Sequence, residues 1–310
     1  MPGLGGPLEL TLGLVVVLVG SIAYAHSFES LASRLGLSQG LAGAVVSPLF
    51  TSLPELVVFV TAVVSVGGRA GAEVGLGTVI GEPLMLSTLM TPLVVAASRG
   101  LKVDRSVARP YLVFVAVFPS VLLPPLLANH PLARVGAALA LLASYVAFAV
   151  TARSGEAVEP GELGLGAAVV VLTASVVAFY FGSHYLVKGV IWASGALGLT
   201  PLAVSTLAVP AVTTLPEVGA ALVWARRGLG TLAASSLVGE QVVYATIYPA
   251  VAILAVPWAL TADAMIAVLI TEVAAAGLAL GALRGSLDKA QVAAGLVCFV
   301  SYLALLPLLR

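Results

Sequence analysis

LGLSQGLAGAVVSPLFTSLPEL at residues 35–56 and LGLTPLAVSTLAVPAVTTLPEV at residues 197–218 are two versions of one segment. At a constant offset of 162, Gly36, Pro48, Thr51, Leu53, Pro54 and Glu55 align with Gly198, Pro210, Thr213, Leu215, Pro216 and Glu217. One span later the offset is 158. There GTVIGEPLMLST at 77–88 meets SSLVGEQVVYAT at 235–246, pairing Gly81 with Gly239, Glu82 with Glu240 and Thr88 with Thr246. Leu and Val matches between apolar helices carry little weight. Pro-Glu and Gly-Glu pairs inside apolar runs, in the same order, mark a duplication. The change of offset assigns about four extra residues to the GGRAGAEVG stretch at 67–75, which reads as a loop.

Composition places this duplication in a bilayer. Of 310 residues, 60% are hydrophobic and 9% charged, whereas soluble domains run at about 45–50% and about 25%. The mean hydropathy is +1.13. This excludes a soluble enzyme. The balance of 14 Lys and Arg against 14 Asp and Glu leaves no basic excess for a nucleic acid. The first residues, MPGLGGPLEL, lack the basic start of a typical signal peptide. Cys298 stands alone in an apolar run, so an inert packed thiol is expected and an internal disulfide is impossible.

At about 20 residues per crossing, ten spans are expected, at 8–25, 39–66, 74–98, 110–127, 132–152, 163–187, 200–225, 229–256, 261–282 and 289–308. Ten of the Lys and Arg residues then fall on the face opposite the N terminus and four on the N-terminal face. Basic residues gather in cytoplasmic loops, so both termini are expected outside the cytoplasm. The polar stretch around 153–162 divides the chain into a first five-helix repeat, 1–152, and a second, 163–310. An odd number of spans per half makes the repeat inverted. The expected fold is all-α and polytopic, with ten transmembrane helices in two inverted five-helix repeats.

Glu55, Glu82, Glu217 and Glu240 lie deep in these spans. Each charged carboxylate costs about 3 kcal/mol to insert, about 12 for four. A purely structural role calls for a basic partner or a proton, and no Lys or Arg lies near them in the four helices. Thr51, Thr78, Thr213 and Ser236 each precede one glutamate by four residues, which stacks hydroxyl and carboxyl on one helix face. Proline frees the carbonyl four residues earlier: Pro54 that of Phe50, Pro216 that of Val212, Pro48 that of Ala44 and Pro210 that of Thr206. Carboxylates, hydroxyls and loose carbonyls suit Ca²⁺, which takes six to eight oxygens in flexible geometry. Soft metals would call for the Cys and His that are absent here.

TSLPE and TTLPE, early in two inverted halves, resemble the alpha repeats of the cation/calcium antiporters, whose sodium/calcium exchangers carry a G-T-S-x-P-E-like motif. The resemblance implies an antiporter with Glu55 and Glu217 as central Ca²⁺ ligands. It implies that Thr51, Ser52, Thr213 and Thr214 give hydroxyl or carbonyl oxygens to Ca²⁺ and Na⁺. The chain departs from the family's G-S-N-x-x-[ND] segments. Glu82 and Glu240 occupy the serine positions, Pro83 replaces an asparagine, and Leu86 and Tyr244 replace the Asn/Asp. Neighbouring carboxylates cannot all ionise and titrate as a set, so protons are expected to compete with Ca²⁺.

The function expected is a secondary antiporter exchanging Ca²⁺ for Na⁺ or H⁺ by alternating access, in which the first and sixth spans slide across the core. Its partners are inorganic cations and the lipid bilayer, it acts as a monomer, and it needs no cofactor. Two alternatives stay open: a divalent cation channel or uniporter, and a proton-coupled exchanger for Mn²⁺ or Mg²⁺. An intramembrane hydrolase would require a catalytic motif that is missing. His26, His130 and His184 have no metal spacing, and Trp192, Trp224 and Trp258 read as an interfacial belt. Glu156, Glu159 and Glu162 read as a solvated linker, and Glu73 and Glu272 as helix-end residues.

Overall fold

In hydrocarbon every backbone N–H and C=O must find its partner within the protein, which leaves helices as the form for apolar runs of this kind. The computed structural model describes residues 5–34, 45, 47–151, 163–255 and 261–308. The 153–162 linker with its glutamates, the stretch 35–44 and Trp258 lie outside the described residues.

In chain order the helices are α1 (Gly6–Arg34), α2 (Ser47–Thr51), α3 (Leu53–Val60), α4 (Gly68–Met85), α5 (Thr91–Ala97), α6 (Ala108–Val117) and α7 (Pro131–Thr151). There follow α8 (Leu165–Leu197), α9 (Pro201–Ala208), α10 (Pro210–Thr213), α11 (Leu215–Arg226), α12 (Gly230–Ala255), α13 (Ala262–Arg284) and α14 (Lys289–Leu305). Two π-helical turns, Thr61–Val66 and Leu86–Met90, prolong α3 and α4. Strands β1 (Leu101–Lys102) and β2 (Ser286–Leu287) form one short antiparallel ladder. Among the described residues eight helical segments are long and apolar enough to cross a membrane, nine if the bent pair Pro201–Thr213 and Leu215–Arg226 is one span. Leu53–Val66 is a shorter apolar helix, and residues 39–44 and 46 of the expected 39–66 span lie outside the described residues. Leu132, Val135, Leu139, Val146 and Val150 on α7, and Val169, Val170, Val177 and Phe181 on α8, are exposed apolar stripes of the kind a bilayer covers. The protein is a multi-pass membrane protein.

Several sequence expectations are corrected. The 67–75 stretch is mostly not a loop: Gly67 and Gly68, at φ +67° and +61°, make the turn, and α4 starts at Gly68. An Arg69–Glu73 ion pair of 2.7 Å spans its first turns. The sixth span runs ten residues past its expected end, to the Gly198 cap at φ +63°. Glu272 lies in the middle of α13, not at an end.

The described chain forms two compact units, each drawing on both sequence halves. One comprises Met1–Thr78 and Ala152–Pro216, the other Val79–Thr151 and Glu217–Arg310. In the first unit α1 and α8 run antiparallel on glycines. A Cβ on Gly6, Gly13 or Gly20 would run into Trp192, the Leu186 backbone or Phe179, and one on Gly182 or Gly189 into Val16 or the Leu10 backbone. The seven-residue spacing on both helices keeps small residues on one seam, so the backbones touch. Val17, Leu186, Val187, Val190, Val58 and Val74 close the core around it, and the Thr61 and Ser183 hydroxyls hydrogen-bond at 2.8 Å. Helices α9–α11 break where prolines 201, 210 and 216 interrupt the ladder, with a 51° bend.

In the second unit α12 packs Ala250 and Ile253 against Ala138 and Leu141 of α7. Arg134 of α7 donates to the carbonyls of Ile253 (2.7 Å) and Leu254 (3.0 Å), placing a cation at the negative end of α12. Gly295 of α14 lies so close to Pro92 that no side chain fits there.

Candidate cation site

Glu55 and Glu217 occupy equivalent local structures. Each falls in the first turn of a helix that restarts after a break, at Ser52 (φ −80°, ψ 1°) before α3 and at Thr214 before α11. The preceding prolines, Pro54 and Pro216, lack the N–H that would continue the earlier helix. A helix start presents free N–H groups and the positive end of the dipole, which favours a carboxylate.

In the first unit Glu55 is 2% exposed, with Thr51, Ser52, Thr78, Thr213 and Thr214 likewise buried. The Glu55 carboxyl meets the Thr213 hydroxyl, so the acid of the first repeat touches the hydroxyl of the second. Oε2 of Glu55 has no hydrogen-bond partner. The Thr213 oxygen also lies 3.0 Å from the Val209 carbonyl. Its single proton serves only one of these two neighbours.

Three other hydroxyls share an orientation. Thr78 donates to Val74 O (2.9 Å), Ser236 to Ala233 O (3.0 Å) and Thr214 to Pro210 O. A hydroxyl that has spent its proton on its own backbone presents only lone pairs outward. That is the polarity a cation needs.

The second unit holds Glu82 and Glu240, 1% and 3% exposed, with half-buried Glu217 and Ser236. The helices carrying Glu82 and Glu240 show the duplication in their bonding: Thr88 donates to Leu84 O and Thr246 to Val242 O, both at 2.6 Å. Beyond the glutamates the halves diverge. Pro83 stands opposite Gln241, whose side chain is fully buried with neither amide atom hydrogen-bonded. Tyr244 stacks on Tyr248 with ring centres 4.4 Å apart, where the first half has Leu86 and begins a π-helical turn. Such turns are rare and are frequent at functional sites. The sequence reading passed over Gln241, although a glutamine beside a membrane glutamate was a visible signal.

Among the described residues no group of three or more His, Cys, Asp or Glu could hold a metal ion. Hydroxyls are the other oxygen donors near each glutamate. The histidines stand apart: His26 and His130 are exposed and His184 is half-buried.

Residues 6–153 match the family model described as sodium/calcium exchanger protein. The match takes in just under half of the chain, and it is the half that carries Glu55 and Glu82. The exchanger fold extends over the whole chain. A crystal structure of the H⁺/Ca²⁺ exchanger CAX superposes with a TM-score of 0.76 at 15% identity, covering 98% of this chain and 82% of that one. The sodium-calcium exchanger NCX_Mj soaked with 100 mM Na⁺ and 10 mM Sr²⁺ gives 0.62 at 20% identity, covering 96% and 97%. Soaked with zero Na⁺ and Ca²⁺ it gives 0.61 at 19%, covering 96% and 98%. No curated relative matches the chain.

Proposed function

We propose that this protein is a member of the sodium/calcium exchanger family, a secondary antiporter that moves Ca²⁺ against Na⁺ or H⁺ by alternating access, as a monomer. In this reading its helices form two inverted five-helix repeats, 1–152 and 163–310, joined by a cytoplasmic linker, with both termini outside the cytoplasm. The observation that carries it is the buried meeting of Glu55 with Thr213, an acid of one repeat against a hydroxyl of the other, at proline-broken helix starts.

Glu55 and Glu217 supply charge to Ca²⁺, and Thr51, Ser52, Thr213 and Thr214 supply neutral oxygens. Thr78 and Ser236 stand one turn from Glu82 and Glu240, which take Na⁺ or a proton. An unloaded site with uncompensated carboxylates resists crossing a low-dielectric barrier, whereas a loaded one is neutralised. That difference enforces exchange rather than leak.

The direct test is radioactive Ca²⁺ uptake into proteoliposomes under an imposed Na⁺ or pH gradient. Counterflow of labelled Ca²⁺ against its gradient identifies a carrier, and a channel or uniporter with a continuous pore gives none. Mn²⁺ or Mg²⁺ displacing Ca²⁺ at equal concentration would transfer the assignment to another divalent cation.

Two further results are expected. Introduced cysteines should be labelled from outside at the termini and from inside in the Arg99–Arg109 loop; termini on opposite faces would end the inverted-repeat reading. Protons competing at Glu82 and Glu240 should make Ca²⁺ flux without Na⁺ rise steeply with pH between about 6 and 8. The pair Glu82→Ser and Glu240→Ser should flatten that rise while some central Ca²⁺ binding remains. An unchanged profile would remove both from the proton-sensitive groups.

A further inference from the structure

Three connections of the second unit are clamped into one surface. β1 pairs with β2 so that Leu101 faces Leu287 and Lys102 faces Ser286, and the Val103 N–H donates to Gly285 O at 3.1 Å. On the other side the Asp104 N–H donates to Thr231 Oγ1 at 2.9 Å, and Gly230 lies against the Lys102 carbonyl where a Cβ would not fit. The α5–α6, α11–α12 and α13–α14 connections therefore share one end of this unit.

Their basic side chains all point out. Lys102 and Arg105 belong to the first connection, Arg226 and Arg227 to the second, and Arg284 and Lys289 to the third; all six are exposed. None forms an ion pair among the described residues, whose one salt bridge is Arg69–Glu73. Two acids lie among them, and both are occupied: Asp104 accepts the Ser106 N–H at 2.7 Å and Asp288 the Ala290 N–H at 2.8 Å. Arg226 and Arg284 end apolar helices and Lys289 begins one, which sets these charges at headgroup depth.

We propose that this platform binds the phosphate headgroups of anionic phospholipids in the leaflet it meets. An orientation signal needs only basic residues in separate loops. Here hydrogen bonds hold three loops together so that six cations form one array, as a headgroup phosphate surface requires. Headgroup binding at this platform does not depend on which ion the protein transports.

The test uses the full-length protein in neutral detergent, with lipid retention read by native mass spectrometry and unfolding by thermal melts. Phosphatidylglycerol should be retained over phosphatidylcholine and should raise the unfolding midpoint. Each neutralised cation should weaken retention about fivefold. K102Q/R226Q/R227Q/R284Q should therefore lose the preference, and K102R/R226K/R227K/R284K should keep it. The smaller R226Q/R227Q change, on an exposed turn, decides the matter if the fourfold variant does not fold. Equal retention of the two lipids by the native protein, or an undiminished preference in R226Q/R227Q, would overturn the proposal. So would inorganic phosphate producing the same rise in midpoint, which would make this a free-anion site.

Discussion

Glu55→Gln and Glu217→Gln should each abolish Ca²⁺ exchange in a protein that still folds. Glutamine keeps the volume and one carbonyl oxygen and removes the negative charge. Removing one charge from a desolvated pair costs about 2–5 kcal/mol, so Ca²⁺ affinity should fall on the order of a hundredfold or more for buried Glu55 and somewhat less for half-buried Glu217. Folding should be spared, because a buried amide is cheaper to dehydrate than a carboxylate. For Glu55 the Thr213 contact survives, since a glutamine can still accept or donate there. The measurement is Ca²⁺ flux in proteoliposomes beside the thermal midpoint of each variant. Near-native exchange in both would remove these residues from the site, and loss of the fold would make them structural.

Much of this arrangement was legible because membrane helices obey few rules. Long apolar runs must be helical, so eight of the ten expected spans correspond to helical segments that meet the membrane criteria. The TSLPE and TTLPE repeats located both helix breaks, since proline cannot continue a hydrogen-bond ladder whatever surrounds it. Boundaries depended on subtler balances. Hydropathy cannot say where a helix emerges from lipid, and α8 continues through Lys188 and Trp192 to its glycine cap. In GGRAGAEVG the glycines suggested a loop, but the Arg69–Glu73 pair and the Gly71 contact with Ala62 favour helix there. The π-helical turns at 61–66 and 86–90 leave no local sequence signature, because they arise where a helix accommodates its neighbours.

The glycines of α1 and α8 were visible but unread, and they carry the second large expected effect. Gly13→Leu should reduce Ca²⁺ exchange at least tenfold. Its side chain would have to enter the Leu186 backbone, with Gly6 and Gly20 one and the same distance along the seam on either side. Overpacking of this kind costs about 1–3 kcal/mol even where neighbours relax, and here the obstacle is main chain. In lipid no hydrophobic drive holds two helices together, and close backbone packing does so instead. A seam this close lets α1 and α8 move across the core only as one piece. Gly13→Ala should be milder, and Gly136→Leu on α7, with open space around it, should be neutral. If the α1–α8 pair moves as one piece during transport, Gly13→Leu should retain equilibrium Ca²⁺ binding while flux falls. If it is only a clamp, binding and thermal midpoint should fall together with flux. Full exchange in Gly13→Leu would show that the contact between α1 and α8 is not required for transport.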